Sequence, residues 1–250
     1  MMMNNIFILI NKELLNIKKF IFQYIFILFL FPCLLYLFLT IPLSRVFINL
    51  KPIYSIWVCS GILFVSVLFN IYILNSNWIV KLYDNNFMKS LPVLSSEYLL
   101  SQIIYSITVG FLQSVFTVII LNSLSVGFMT FVQFIKCFFV MLPSIIIMVN
   151  FSLIIINLIK NKFIINIYNC LLFLFLSFSI GSFIPLNLYP IEYINIISYI
   201  PFSGTLINMQ KIISYQSIFY NMFFISLFYS LFFSFIGYYI IEGKMKNYNE

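Results

Sequence analysis

The residues that could do chemistry in this chain are few and scattered. Six acids (Glu13, Asp84, Glu97, Glu192, Glu242 and Glu250) stand against thirteen cations, and there is no histidine. Histidine is the commonest general acid or base. Without it no Ser/His/Asp arrangement can be built, and the acids are too dispersed to suggest paired carboxylates. Cys33, Cys59, Cys137 and Cys170 lie far apart in apolar runs, with none of the C-x-x-C spacing that marks metal or redox sites. They read as packing residues, so no metal is expected. The sole Gly-Lys pair, Gly243-Lys244, is followed by Met245. A phosphate-binding loop needs G-x-x-x-x-G-K-[ST]. The chain is therefore expected to be non-catalytic. A lysine-based or lone-glutamate scheme inside a membrane is the remaining enzymatic alternative.

The elements around these residues are almost entirely apolar. Of 250 residues, 63% are hydrophobic, 20% aromatic and 8% charged. Soluble domains carry about 25% charged residues, so this chain cannot cover a water-facing surface. It reads as one all-α integral membrane domain, 1–250. The net charge of +7 comes without a basic patch interleaved with aromatics, so no nucleic acid is expected. The cations instead set orientation.

Six membrane-crossing helices are predicted, at about 20–41, 53–80, 99–124, 131–159, 163–183 and 215–241. Pro32 and Pro143 fall inside two of them; a kink is tolerable in lipid when neighbours satisfy the freed backbone groups. Ahead of the first span, Ile6, Ile10, Leu14 and Ile17 recur at helical spacing among Asn4, Lys12 and Lys18. This predicts an amphipathic helix on the inner membrane surface, with a disordered tail as the alternative. No cleavable signal peptide is expected, because Lys12, Glu13, Lys18 and Lys19 lead into a full-length span without a small-residue cleavage site.

The segment 81–102, KLYDNNFMKSLPVLSSEYLLSQ, interrupts the apolar run. It reads as a short amphipathic helix outside the membrane, or as an ordinary polar loop. The segment 184–210 is apolar but broken by Pro185, Pro190 and Pro201 and carries Glu192. Its pieces are too short to cross, since a crossing takes about 20 residues. They are expected to dip into the outer leaflet. Nine of the cations (Lys12, Lys18, Lys19, Lys81, Lys89, Lys160, Lys162, Lys244 and Lys246) fall on one side of this topology and four (Arg45, Lys51, Lys136 and Lys211) on the other. The richer side should be cytoplasmic. That places both termini and 81–102 in the cytoplasm, and 184–210 outside.

No charge stands near the centre of any predicted span, which disfavours a proton- or sodium-driven carrier. The polar residues within spans are neutral: Asn70, Gln113, Asn150, Asn166 and Asn169. They read as interhelical hydrogen-bonding groups or, for Asn70, Gln113 and Asn150, as candidates to line a pathway.

This layout resembles the membrane subunit of ABC exporters of the ABC-2 (type V) class. The resemblance rests on Ser90-Leu91-Pro92-Val93-Leu94-Ser95-Ser96-Glu97-Tyr98-Leu99-Leu100 entering the third span, on Ser182-Phe183-Ile184-Pro185, and on Ile200-Pro201-Phe202-Ser203. It covers essentially the whole chain. Many members carry a Glu/Arg-rich run before the proline stretch, where this chain has Tyr83-Asp84-Asn85-Asn86-Phe87. The resemblance implies an amphipathic N-terminal helix, six spans, a cytoplasmic coupling helix and a short outer re-entrant helical hairpin. It also implies a permease that exports its cargo with a second copy or a related permease, amid membrane lipids of the cell membrane. ATP and magnesium would be bound by a separate cytosolic ATPase. Contact with that ATPase would fall on Lys81, Asp84, Lys89, Leu91, Pro92, Val93 and Leu94. An outer gate would involve Pro185, Pro190, Glu192 and Pro201. The alternative is an ATP-independent membrane scaffold or immunity-type binding protein.

The orientation is testable by single cysteines in a cysteine-free background. Asn195→Cys should react with a membrane-impermeant maleimide added to intact cells, and Lys89→Cys only after lysis. The opposite pattern would invert the topology.

Overall fold

The structure, a computed structural model, describes residues 2–19, 21–49, 53–84, 93–125, 127–159, 161–215 and 218–247. Among them every regular element is helical. In chain order these are α1 (Met2–Lys19), α2 (Ile21–Leu35), a π-helical turn (Tyr36–Thr40), α3 (Ile41–Val46), α4 (Tyr54–Asp84), α5 (Ser95–Leu124) and α6 (Phe131–Leu158). There follow α7 (Lys162–Leu174) with a π-helical end (Phe175–Ser179), a 3-10 turn (Leu186–Leu188), α8 (Ile191–Ser198), α9 (Pro201–Tyr215) and α10 (Tyr220–Asn247).

Among the described residues five stretches are long and apolar enough to cross a membrane: Tyr24–Val46, Tyr54–Val80, Ser95–Leu124, Phe131–Leu158 and Tyr220–Gly243. The chain thus has the build of a multi-pass membrane protein. The predicted span 163–183 is realised as a shorter apolar helix, Phe163–Ser179. At 1.5 Å per residue it measures about 25 Å, against a hydrocarbon core of about 30 Å. Helix ends also differ from expectation. The first long stretch runs on through the π turn to Val46, and the last begins after α9 has continued to Tyr215.

The bundle is organised around α4, which packs on α5, α6 and α9. Val58, Ile62, Phe64, Val65 and Leu68 are wholly buried there. Its close neighbours are admitted by glycine. A Cβ at Gly61 would run into the carbonyl oxygen of Ser182, a backbone atom with nowhere to go. Two ends of the bundle can be distinguished: the joint end, where α4 finishes and α5 begins, and the hairpin end, which carries the loop after α7.

At the hairpin end, irregular backbone is tied down by side chains. Gly181 turns the chain with φ +89, a conformation glycine adopts without steric cost. Ser182 Oγ donates to the Leu176 carbonyl at 2.6 Å, and Tyr54 Oη donates to the Phe183 carbonyl at 2.6 Å. Tyr189 Oη reaches the Phe178 carbonyl at 2.7 Å, and Gln210 Nε2 reaches that of Gly181 at 3.4 Å.

Each expected gate proline begins or flanks an element. Pro185 precedes the 3-10 turn, Pro190 caps α8, and Pro201 opens α9. Proline suits these places because the first amides of a helix have no intrahelical partner. Glu192 stands exposed in the first turn of α8. The helix α9 is buried along most of its length and runs antiparallel beside α6. Thr205 Oγ1 meets Ser144 Oγ at 2.5 Å, Cys137 Sγ faces the Met209 carbonyl at 3.9 Å, and Gln133 Nε2 donates to the Ile213 carbonyl at 3.3 Å. Pro201 therefore lies about halfway along α6, and Tyr215 lies near its first turn.

Gly61→Ala should destabilise the protein by about 1–3 kcal/mol, the usual cost of overpacking. Gly243→Ala, where a Cβ meets nothing within 4 Å, should be neutral. Thermal unfolding in detergent would compare the two.

Candidate functional site

Two places in the fold gather the residues of functional interest. The first is the joint end. At 30 residues, α5 is about 45 Å long, some 15 Å more than a hydrocarbon core. Its first turns are the polar ones: Ser95, Ser96, Glu97, Ser101 and Gln102. The helix α1 runs alongside this surplus and in the same direction. Asn5 Nδ2 donates to Glu97 Oε2 at 3.1 Å, and eight residues on, Glu13 lies near Tyr105. Glu97 also accepts the Leu94 amide at 3.1 Å, as a third-position glutamate does when it reaches back over a helix start.

Carboxylates are seldom buried unless paired or hydrogen-bonded. Glu97 is 3% exposed and Glu13 is 8% exposed, and Glu13 accepts Asn16 Nδ2 at 3.3 Å. Burial lowers the pKa of Lys12, and Glu13 partly restores it. Trp78 of α4 wedges between Tyr98 and Tyr105, with ring centroids 5.6 and 5.5 Å away. The buried face of α1 therefore centres on Leu9 and Glu13, while Leu14, expected on the membrane-facing apolar stripe, is exposed. Phe7, Ile8 and Leu15 form a second, exposed apolar face. A helix with protein on one side and an apolar surface on the other suits an interfacial position.

Of the residues expected to meet a partner, Lys89, Leu91 and Pro92 lie outside the described residues. Lys81 and Asp84 fall in the last turn of α4, where only the backbone is described, and Val93 and Leu94 lead into α5.

The second place is a cavity of about 490 Å³ midway along the bundle. It is lined by Tyr72 of α4, Phe151 of α6, Tyr168 of α7, Phe175 of the π-helical end, Phe202 of α9 and Phe233 of α10, among others. Among the described residues no charged side chain lines it. The packing explains why it exists. The helices α6 and α10 are drawn together where Asn150 Nδ2 donates to Ser234 Oγ at 3.2 Å and Asn150 Oδ1 presses on the bare Cα of Gly237. By contrast, α7 rests chiefly on α4. A wedge is left between α7 and the α6–α10 pair.

The expected pathway residues do not line this cavity. Asn70 and Gln113 are brought together, with Asn70 Nδ2 donating to Gln113 Oε1 at 3.1 Å and to Tyr24 Oη at 3.2 Å. Gln113 Nε2 donates to Thr117 Oγ1 at 3.2 Å and to the Leu28 carbonyl at 3.4 Å. They form a polar clamp joining α2, α4 and α5, and Asn150 is a separate clamp between α6 and α10. Their hydrogen bonds match the expectation of interhelical hydrogen-bonding groups. The cavity lining was missed because its only sequence signal is aromatic residues one turn apart, such as Tyr229 and Phe233. In a chain that is 20% aromatic, this marks nothing out.

Asn70→Leu and Gln113→Leu should each destabilise the fold. Together they should cost less than their sum, by about 0.6–1.7 kcal/mol, the range measured for such bonds within membranes. A double-mutant cycle of denaturant unfolding in detergent measures this coupling. No family model, curated protein or solved structure matches this chain.

Proposed function

We propose that this chain is the membrane subunit of an ATP-binding-cassette exporter of the ABC-2 class, moved by a separate cytosolic ATPase. The observation that carries the reading is the order and depth of the helices. An amphipathic helix docks at the joint end, long apolar helices follow, and two short helices reach to mid-depth before the last long one. In this reading α8 and α9 are the re-entrant outer hairpin, Phe163–Ser179 is a short sixth crossing, and both termini lie in the cytoplasm.

The absence of a phosphate-binding loop and of paired acids in the sequence fits a gate driven from outside itself. The buried contact of α1 with the start of α5 offers a stiff connection for that drive. A displacement of the segment between α4 and α5 would be passed to α5 through Glu97 and to α1 through Asn5. Coupling of this kind requires contacts that differ between two states. The apolar faces exposed on α2 and α10, with Phe22, Phe26, Phe228 and Phe232, suit lipid or a second permease.

The test is co-purification from the native host. A tagged chain should retain an ATPase that carries a phosphate-binding loop. The double substitution Asp84→Lys with Lys89→Glu should reduce that retention at least fivefold while membrane insertion is unchanged. Unaltered retention would remove the assigned contact. If no ATPase is retained and the chain functions in cells lacking every candidate ATPase, the exporter reading fails.

A further inference from the structure

The cavity between α7 and the α6–α10 pair has a volume within the range of sites for small ligands, roughly 300–1,000 Å³. It is too large to be explained as a packing flaw, since protein interiors hold few voids bigger than a water molecule. Water is a poor occupant. A buried water needs two to four polar partners, and the lining offers little beyond the phenol groups of a few tyrosines. An empty space of this size would deprive every lining ring of contact on one side. The rim points the same way. Leu171 is 53% exposed and Tyr199 is 76% exposed, and the surface around them continues into apolar residues of α7 and α10, among them Ile167, Leu174 and Phe228. The opening therefore faces hydrocarbon. Tyr199 ends α8, two residues before Pro201, and so stands with the cavity about midway along α6.

We infer that this cavity binds one acyl chain of a bilayer phospholipid, which enters sideways past Leu171 and Tyr199. The chain completes the packing that α7 lacks and holds it at a set distance from α6 and α10. The inference does not depend on the exporter reading.

Native mass spectrometry of the full chain, released from nanodiscs of dioleoylphosphatidylcholine, tests it. The wild type should keep one phosphatidylcholine per chain. Leu172→Trp, on α7, and Ile200→Trp, between α8 and α9, should each fill the cavity and reduce retention at least fivefold. Ile27→Trp, on the exposed face of α2, should retain it. Circular dichroism identifies which variants fold. Should neither filling variant fold, a phosphatidylcholine with a mid-chain diazirine, photolysed with the wild type, should label residues 147–151 and 168–175. A wild type that keeps no phospholipid or keeps a non-lipid molecule, folded filling variants that retain as much as the wild type, or labelling confined to the exposed faces of α2 and α10 would each overturn the inference.

Discussion

Within hydrocarbon no water is available to a main-chain amide or carbonyl, so each must find its partner inside the protein. That requirement governs this fold most visibly where the helices fail. Between the π-helical end of α7 and the start of α8 the chain has no ladder to satisfy its carbonyls. Tyr54, Tyr189, Gln210 and Ser182 supply the donors instead. The same residues draw α4, α9 and the loop into one unit. Gly61 is the steric counterpart, since it allows the Ser182 carbonyl to lie against α4. A loop that could have been a weak point is thereby a junction.

The buried polar groups follow a related logic. Neutral side chains hydrogen-bond across helix contacts in pairs that bind particular helices together: Asn70 with Gln113, Asn75 with Ser106, Ser144 with Thr205 and Asn150 with Ser234. Helices in lipid gain little from apolar contact alone, because lipid tails are as apolar as leucine. Such pairs and small residues therefore specify who packs with whom. The helix α7 has few of these devices. Its weak attachment to α6 and α10 produces the cavity, so this space is a direct consequence of where polar pairing is missing.

The joint end is a different environment. There α5 outruns the hydrocarbon, carboxylates appear, and α1 covers the excess with one face while presenting Phe7, Ile8 and Leu15 outward. The connection from α1 through Glu97 to the first turn of α5 is short and buried. On the proposed reading this is where an external motor would act, and the rest of the bundle would respond as packed helices held by the clamps described above.

Composition placed the chain in a membrane, where a polypeptide with 8% charged residues can satisfy its backbone only as helices or a closed barrel, and apolar runs of about 20 residues or more pointed to helices that cross several times. Of the six runs expected to cross, five correspond to helices long and apolar enough to do so, with ends within about five residues of expectation, and the sixth to the shorter Phe163–Ser179. The prolines correctly marked element starts at Pro190 and Pro201, since proline tolerates the first turn of a helix and resists its interior. The sequence could not reveal that α9 is buried against α4, α6 and α10, because an apolar helix looks the same whether it faces lipid or protein. Nor could it tell that Asn70 and Gln113 would meet while Asn150 would not join them, or that α1 would turn Leu9 and Glu13 inward. Those outcomes depend on helix rotation and on which neighbours approach closely. Such choices are made between residues far apart in the chain, and no local pattern records them.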